Sequence, residues 1–206
     1  MRKFQDKYRI PSARWYEWDY GAPAWYFVTI CTKNHISYFG EIVECLEPFA
    51  PITVETENIL SLHSDVQNAD EQEDFPLVPN NAVLKPTAMG KMAYQCWMDI
   101  PKHFPFVVLD VFVVMPNHVH GLIYFDKPDY DKWETNKFGP QSQNLGSVLR
   151  GYKIGVTKFS NERKLTFDWQ ERFHDHVVRS EKEFYLIRNY ILDNPNRWLQ
   201  DKFYRP

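Results

Sequence analysis

Two histidines spaced two apart in an apolar run, within the stretch VVMPNHVHGLI from Val113 to Ile123, are the residues of this chain best suited to chemistry. A strand alternates its side chains, so His118 and His120 share one face while Val119 takes the other. Two neutral imidazoles side by side are ready metal ligands. The same spacing also suits a plain pair of partly exposed histidines near a strand end. A second pair, His174-Asp175-His176, competes with the first. It lies beside charged Glu171, Arg172 and Arg179, whereas His118 and His120 follow directly on a strongly apolar strand pair, and the upstream pair is preferred on that ground. His35, His63 and His103 have no partner in sequence and read as surface residues.

The C-terminal segment EKEFYLIRNYILDNPNRW offers Tyr190 and, four residues on, Asn194. Positions i and i+4 share a helix face. Tyr190 can present a nucleophilic phenol there, and the Asn194 side-chain oxygen can face a hard cation. The apolar neighbours Tyr185, Leu186, Ile187 and Ile191 equally suit a tyrosine packed in a core, and Asn194 before Pro195 equally suits a residue that ends a helix. A structural zinc module is disfavoured, because two histidines without a cysteine cluster cannot close a tetrahedral site. Cys31, Cys45 and Cys96 are odd in number, widely spaced and lack a CxxC pairing, which argues against a disulfide framework and fits reduced thiols in a cytosol.

The elements that must position these groups are legible in outline. Trp25 to Thr32 is rich in aromatic and β-branched residues and predicts a strand. Lys85-Pro86-Thr87 opens a helix to about Ile100, with Met89, Met92, Ala93, Cys96, Trp97 and Ile100 on one stripe. FVVLDVFVVM is a β-prone run, Met115-Pro116-Asn117 suits a hairpin turn, and the histidine strand continues to Phe125. After a polar loop, a helix buries Leu145, Val148, Leu149, Tyr152, Val156 and Phe159, with Arg150, Lys153 and Lys158 off that stripe. A short strand around Phe173 to Val178 leads to a last helix, Glu181 to about Asp193. Helices interspersed with antiparallel strands predict an α+β sandwich with one sheet. A length of 206 residues suits one domain, residues 1–206, carrying an insertion.

The net charge of −3 hides two unlike parts. Residues 41 to 85 hold ten of the 27 acids and a single base, Lys85, so the remainder carries 23 basic and 17 acidic residues. Residues 44 to 85 are poorly periodic and read as an acidic loop insertion on a basic body, tolerated because closing a longer loop costs little. Near the start, Arg2, Lys3, Lys7, Arg9 and Arg14 alternate with Tyr8, Trp15, Tyr16, Trp18 and Tyr20. Cations that follow phosphates, interleaved with aromatics that stack on bases, make a single-strand groove. A basic arm folded onto the body with buried aromatics has the same composition. Arg150, Lys153 and Lys158 form a second candidate nucleic-acid surface, or a solvated helix face. No apolar run approaches the ~18 residues of a membrane span, and Met1-Arg2-Lys3-Phe4 does not open a signal peptide, so a cytoplasmic protein is expected.

Taken in order, MPNHVHGLI, WQERFHDHVVR and RNYILDNPNRW resemble the single-tyrosine HUH transposases, most nearly the REP-associated tyrosine transposases and the insertion-sequence enzymes that move single-stranded DNA. The resemblance covers most of the chain outside residues 44 to 85. It implies a ferredoxin-like α+β sandwich whose central antiparallel sheet carries the histidine pair. It further implies that His118 and His120 hold a divalent metal, that Asn194 is a polar ligand, and that Tyr190 is the nucleophile. The metal would be Mg²⁺ or Mn²⁺, with imidazole ligation favouring Mn²⁺. The reaction implied is cleavage of single-stranded or hairpin DNA through a 5′-phosphotyrosine that keeps the bond energy for rejoining. The resemblance also favours DNA contact at the N-terminal residues, including Arg2, Lys3, Lys7, Arg9, Arg14, Trp15 and Trp18. A monomer or a homodimer that exchanges the tyrosine helix are both compatible with it. Two other readings stand beside this one: a domesticated hairpin-DNA-binding protein without mobilising activity, and a metal-dependent nuclease with no covalent step.

Overall fold

The structure is a computed structural model that describes residues 17–44, 81–131, 133–134 and 142–205, together with the backbone of 45–49, of 80, and of two short paired strands, β1 (Lys3–Phe4) and β2 (Lys7–Tyr8). The remaining elements are β3 (Trp25–Cys31), β4 (Gly40–Phe49), β5 (Asn80–Pro86), α1 (Ala88–Met98), α2 (Ile100–His103), β6 (Val107–Met115), β7 (His118–Phe125), α3 (Leu145–Glu162), β8 (His174–Val177) and α4 (Glu181–Asp193). Four strands form one antiparallel sheet in the order β6-β7-β3-β8. Counted along the chain, these are second, third, first and fourth, with α1 and α3 as the two crossovers. That is the split β-α-β arrangement of a ferredoxin-like sandwich.

The period of two in the strands separates the faces. Tyr26, Val28 and Ile30 of β3 and Val119, Ile123 and Phe125 of β7 point into the large core under α1 and α3. Phe27, Val111, Leu122, Phe184 and Ile191 form a second, smaller core under α4. β7 is buried along its whole length because both faces are covered. A register shift in β6 between Leu109 and Phe112 moves alternate residues across, so Leu109 and Phe112 face the large core while Val111 faces α4. Gly121 permits the close approach of α1: a Cβ there would stand 2.1 Å from Trp97 Cζ2.

Each long helix starts on a side chain that meets an otherwise unsatisfied backbone N–H. Thr87 accepts from Gly90 N, Asn144 and Ser147 form a reciprocal capping box, and Ser180 accepts from Glu183 N. Between α4 and the sheet lies one deeply placed ion pair, Arg188 Nε to Asp110 at 3.3 Å, with the Asp110 side chain wholly buried. It fixes the helix two residues before Tyr190.

The ends of the segment expected as an acidic loop are strands. β4 and β5 pair antiparallel, Ile42 opposite Leu84 and Val43 opposite Val83, and Lys85 bridges to Glu41 at 2.9 Å. Glu41, Glu44 and Glu47 interrupt the apolar pattern of β4 and mask its period in sequence. Asn196 Oδ1, just past α4, accepts from Asn81 N and Ala82 N and ties this hairpin to the C-terminal region. No helix among the described residues is long and apolar enough to cross a membrane.

Candidate metal and tyrosine site

Antiparallel register builds the floor of the site. Thr29 of β3 lies opposite His120, and Cys31 lies opposite His118, so these four residues share the face toward α4. Their rings and hydroxyl are shut off from solvent: His118 is 0% and His120 1% exposed.

The tautomer of His118 follows from its neighbour. Both hydrogens of the Asn117 amide are used, donated to the carbonyls of His35 (3.0 Å) and Phe203 (2.8 Å). Asn117 Oδ1 therefore faces His118 Nδ1, at 2.9 Å, and can only accept. His118 Nδ1 carries the proton, and Nε2 is left with its lone pair, buried and without a hydrogen-bond partner. On His120 the 2.8 Å contact from Nδ1 to Thr29 Oγ1 orients the ring, and Nε2 lies 3.3 Å from the Tyr190 hydroxyl. Outer partners that orient imidazoles in this way are the usual support of a metal ligand.

A third side chain comes from beyond α4. After Pro195 and a short 3₁₀ turn (Trp198–Gln200), the chain folds back and places the Asp201 carboxylate beside the two imidazoles, with ligand atoms of all three within 4.8 Å of one another. Asp201 Oδ1 accepts from Phe203 N at 2.6 Å, and Oδ2 accepts from the Asn194 amide at 3.1 Å. Asn194 Oδ1 is buried with no partner. Two bare acceptors, His118 Nε2 and Asn194 Oδ1, thus converge with a carboxylate on one spot. Buried acceptors left so are costly unless a donor or a cation meets them, and the donor set fits a divalent metal that takes nitrogen and oxygen. Among the described residues this is the single cluster of three or more such groups.

The electrostatics agree. Burial, opposed in part by the Asp201 carboxylate, lowers His118 to about 4, and burial with the neighbouring His118 takes His120 well below its ordinary value. Both rings are neutral near pH 7, as ligation requires. Burial and the Asp201 charge raise the Tyr190 phenol above its usual range. The phenol is therefore protonated at neutral pH. Tyr190 itself remains 40% exposed and stands edge-on to Phe27.

The structure thus brings together His118, His120, Tyr190 and Asn194, all four singled out in sequence, and adds Asp201, Asn117 and Thr29. Asp201 lies outside any regular element, and no spacing rule points to it. Asn117 was visible only as a turn residue. His35, expected at the surface, is half-buried and stacks on Phe203 at 5.3 Å between ring centres, because its carbonyl is held by Asn117. The competing histidines are placed apart: His174 is exposed on edge strand β8, and His176 Nε2 binds Glu183 at 2.7 Å.

The candidate nucleic-acid residues are scattered. Arg2, Arg9, Arg14 and Trp15, with the side chains of Lys3 and Lys7, lie outside the described residues, as does His63. Trp18 is half-buried, its Nε1 donating to Tyr26 Oη at 3.2 Å. Arg150, Lys153 and Lys158 line an open groove of about 700 Å³ along α3 with Arg172. Lys153 donates to the carbonyls of Gln170 (2.8 Å) and Arg172 (2.5 Å), and burial lowers it to about 8. Lys158 lies 3.9 Å from Glu162, and Arg150 is exposed.

The site is thus a ferredoxin-like sheet that presents a His-Val-His strand to a tyrosine-bearing helix. No family model matches the chain. A protein of Haemophilus influenzae, itself uncharacterized, is 31% identical over 202 residues, spanning 94% of this chain and 92% of the relative. Among solved structures, a REP-associated tyrosine transposase bound to a REP hairpin superposes with a TM-score of 0.51 at 17% identity, covering 92% of this chain and 74% of that one. The chain belongs to one family with the Haemophilus influenzae protein, and its fold is that of the REP-associated tyrosine transposase.

Proposed function

We propose that this protein is a metal-dependent tyrosine transposase that cleaves and rejoins single-stranded or hairpin DNA through a covalent 5′-phosphotyrosine at Tyr190. The observation that carries the reading is the convergence of an exposed phenol with two buried, neutral imidazoles and a carboxylate, since binding alone needs no such set and hydrolysis needs no tyrosine. The solved structure of like fold is bound to a REP hairpin, which favours a nucleic-acid hairpin as partner here.

His118 Nε2, His120 Nε2, Asp201 and the Asn194 side-chain oxygen would hold Mg²⁺ or Mn²⁺, which when bound supplies Lewis-acid stabilisation of charge on a phosphate. Asn117 and Thr29 keep the imidazoles in register for that task. Tyr190 attacks phosphorus: the bond from Oη forms, the bond to the 3′-oxygen breaks, and the departing oxygen takes up a proton while the phenol gives one up. No water is consumed, and the new phosphotyrosine ester can be attacked by another 3′-hydroxyl without an outside energy source.

The N-terminal residues Arg2, Lys3, Lys7, Arg9, Arg14, Trp15 and Trp18 are proposed to follow the single strand, with Arg150, Lys153 and Lys158 as a second phosphate-facing surface. Residues 1–206 are proposed to be one such domain that carries the acidic segment within 44–85 as an insertion. A cytoplasmic setting suits both DNA chemistry and the free thiols Cys31 and Cys96.

The test is a denaturing gel of protein with labelled hairpin DNAs and Mn²⁺, comparing wild type, Tyr190→Phe and His118→Ala. An adduct that survives denaturation and is lost in both variants supports the reading. Cleavage that persists in Tyr190→Phe makes the protein a hydrolytic nuclease, and binding without cleavage makes it a hairpin-binding protein.

A further inference from the structure

Tyrosine attack on a phosphodiester raises the charge on the non-bridging oxygens, and groups that meet this charge accelerate the step. The donors already described are neutral or acidic: two neutral imidazoles, an amide and the Asp201 carboxylate. A bound divalent ion is largely offset by Asp201 and the phosphate itself. A cation belonging to the chain is missing from the set.

The tail supplies one. Lys202 follows Asp201 directly, is exposed, and holds its ammonium 4.8 Å from the centre of the Phe203 ring. That ring is itself packed on the site, 4.8 Å from the centre of His118 and 6.1 Å from that of His120. Other cations of this region are engaged: Arg197 pairs with Asp193, and Arg205 donates to the carbonyls of Lys202 and Tyr204. The Lys202 ammonium has neither a carboxylate nor a carbonyl partner among the described residues. A cation over an aromatic face keeps much of its capacity to bind an anion, because the ring satisfies no hydrogen-bond donor.

We propose that Lys202 receives the scissile phosphate, donating to a non-bridging oxygen while Tyr190 attacks. This rests on the tyrosine-mediated cleavage proposed above. The lysine stays protonated throughout, and no atom is transferred to or from it. Phe203 acts as its platform, holding the ammonium against a ring that itself packs on the two histidines.

The experiment compares wild type, Lys202→Met and Lys202→Arg on two hairpin DNAs with Mn²⁺, one with an ordinary phosphodiester and one with an uncharged methylphosphonate at the cleaved linkage. On the phosphodiester, Lys202→Met should slow adduct formation on the order of 10²-fold, and Lys202→Arg should restore much of it. On the methylphosphonate the loss in Lys202→Met should be smaller, because the linkage carries no charge before attack and keeps one non-bridging oxygen instead of two. Mn²⁺ affinity, read by electron paramagnetic resonance, and thermal unfolding should match the wild type, since the side chain is exposed and is no ligand. An undiminished rate in Lys202→Met, or an equal loss on both DNAs, overturns the role of Lys202 alone. Absence of any adduct with the wild type overturns the tyrosine reading and this role with it.

Discussion

Two neutral imidazoles buried on a sheet make the metal-free protein sensitive to acid in a way that can be worked out beforehand. An unfolded histidine titrates near pH 6.5. In the fold, burial lowers His118 to about 4, with Asp201 working against the shift. A folded value below the unfolded one means that stability is fully present above about pH 6.5 and is lost as the pH falls toward 4, because only the unfolded chain binds the proton. For His118 alone the loss is on the order of 1 kcal/mol at pH 5.5 and larger at pH 4.5. The perturbation is His118→Asn, which cannot titrate and whose amide N–H stands where Nδ1 stood, able to donate to Asn117 Oδ1. Urea unfolding in a chelator at pH 7.5, 5.5 and 4.5 gives the free energies, and carboxylates elsewhere cancel when the two proteins are compared. The wild type should lose on the order of 1 kcal/mol more than the variant between pH 7.5 and 5.5. Profiles that run parallel to within about 0.5 kcal/mol would refute the claim that the fold holds His118 neutral.

Three further outcomes are expected. Asp201→Asn and Asn194→Ala should each weaken Mn²⁺ binding by at least about tenfold while the protein stays folded, as measured by titration calorimetry; an unchanged affinity would remove that residue from the ligand set. Gly121→Ala should destabilise the protein by about 1–3 kcal/mol in thermal unfolding, because its methyl group meets the Trp97 ring and α1 must shift. Arg188→Ala should cost about 3 kcal/mol or more in denaturant unfolding by withdrawing the guanidinium from a wholly buried Asp110, and amide exchange should quicken along α4.

Much of the site was legible because strand and helix periods are local properties. The spacing of His118 and His120 put both rings on one face, and four residues put Asn194 one turn beyond Tyr190; those inferences need only the geometry of a single element. The antiparallel sandwich followed from the order of β-prone and helical runs, and the end of α4 was marked by Pro195. What was hidden depends on long-range closure. Asp201 reaches the histidines only because the chain turns back after Pro195, and Phe203 reaches His118 and His35 by the same turn. Asn117 looked like a turn residue, and its second task, fixing the His118 tautomer, appears only when the carbonyls of His35 and Phe203 are brought to it. The β4–β5 hairpin escaped notice because its acidic residues obscured short apolar stretches such as Ile42-Val43.

The central claim is that the Tyr190 oxygen becomes bonded to DNA. The most direct measurement is mass spectrometry of the protein after reaction with hairpin DNA and Mn²⁺, followed by nuclease trimming and proteolysis. The expected product is a peptide carrying Tyr190 heavier by a 5′-linked nucleotide, absent when metal is withheld. A nucleotide on another residue, or cleaved DNA with every tyrosine unmodified, would contradict the assignment.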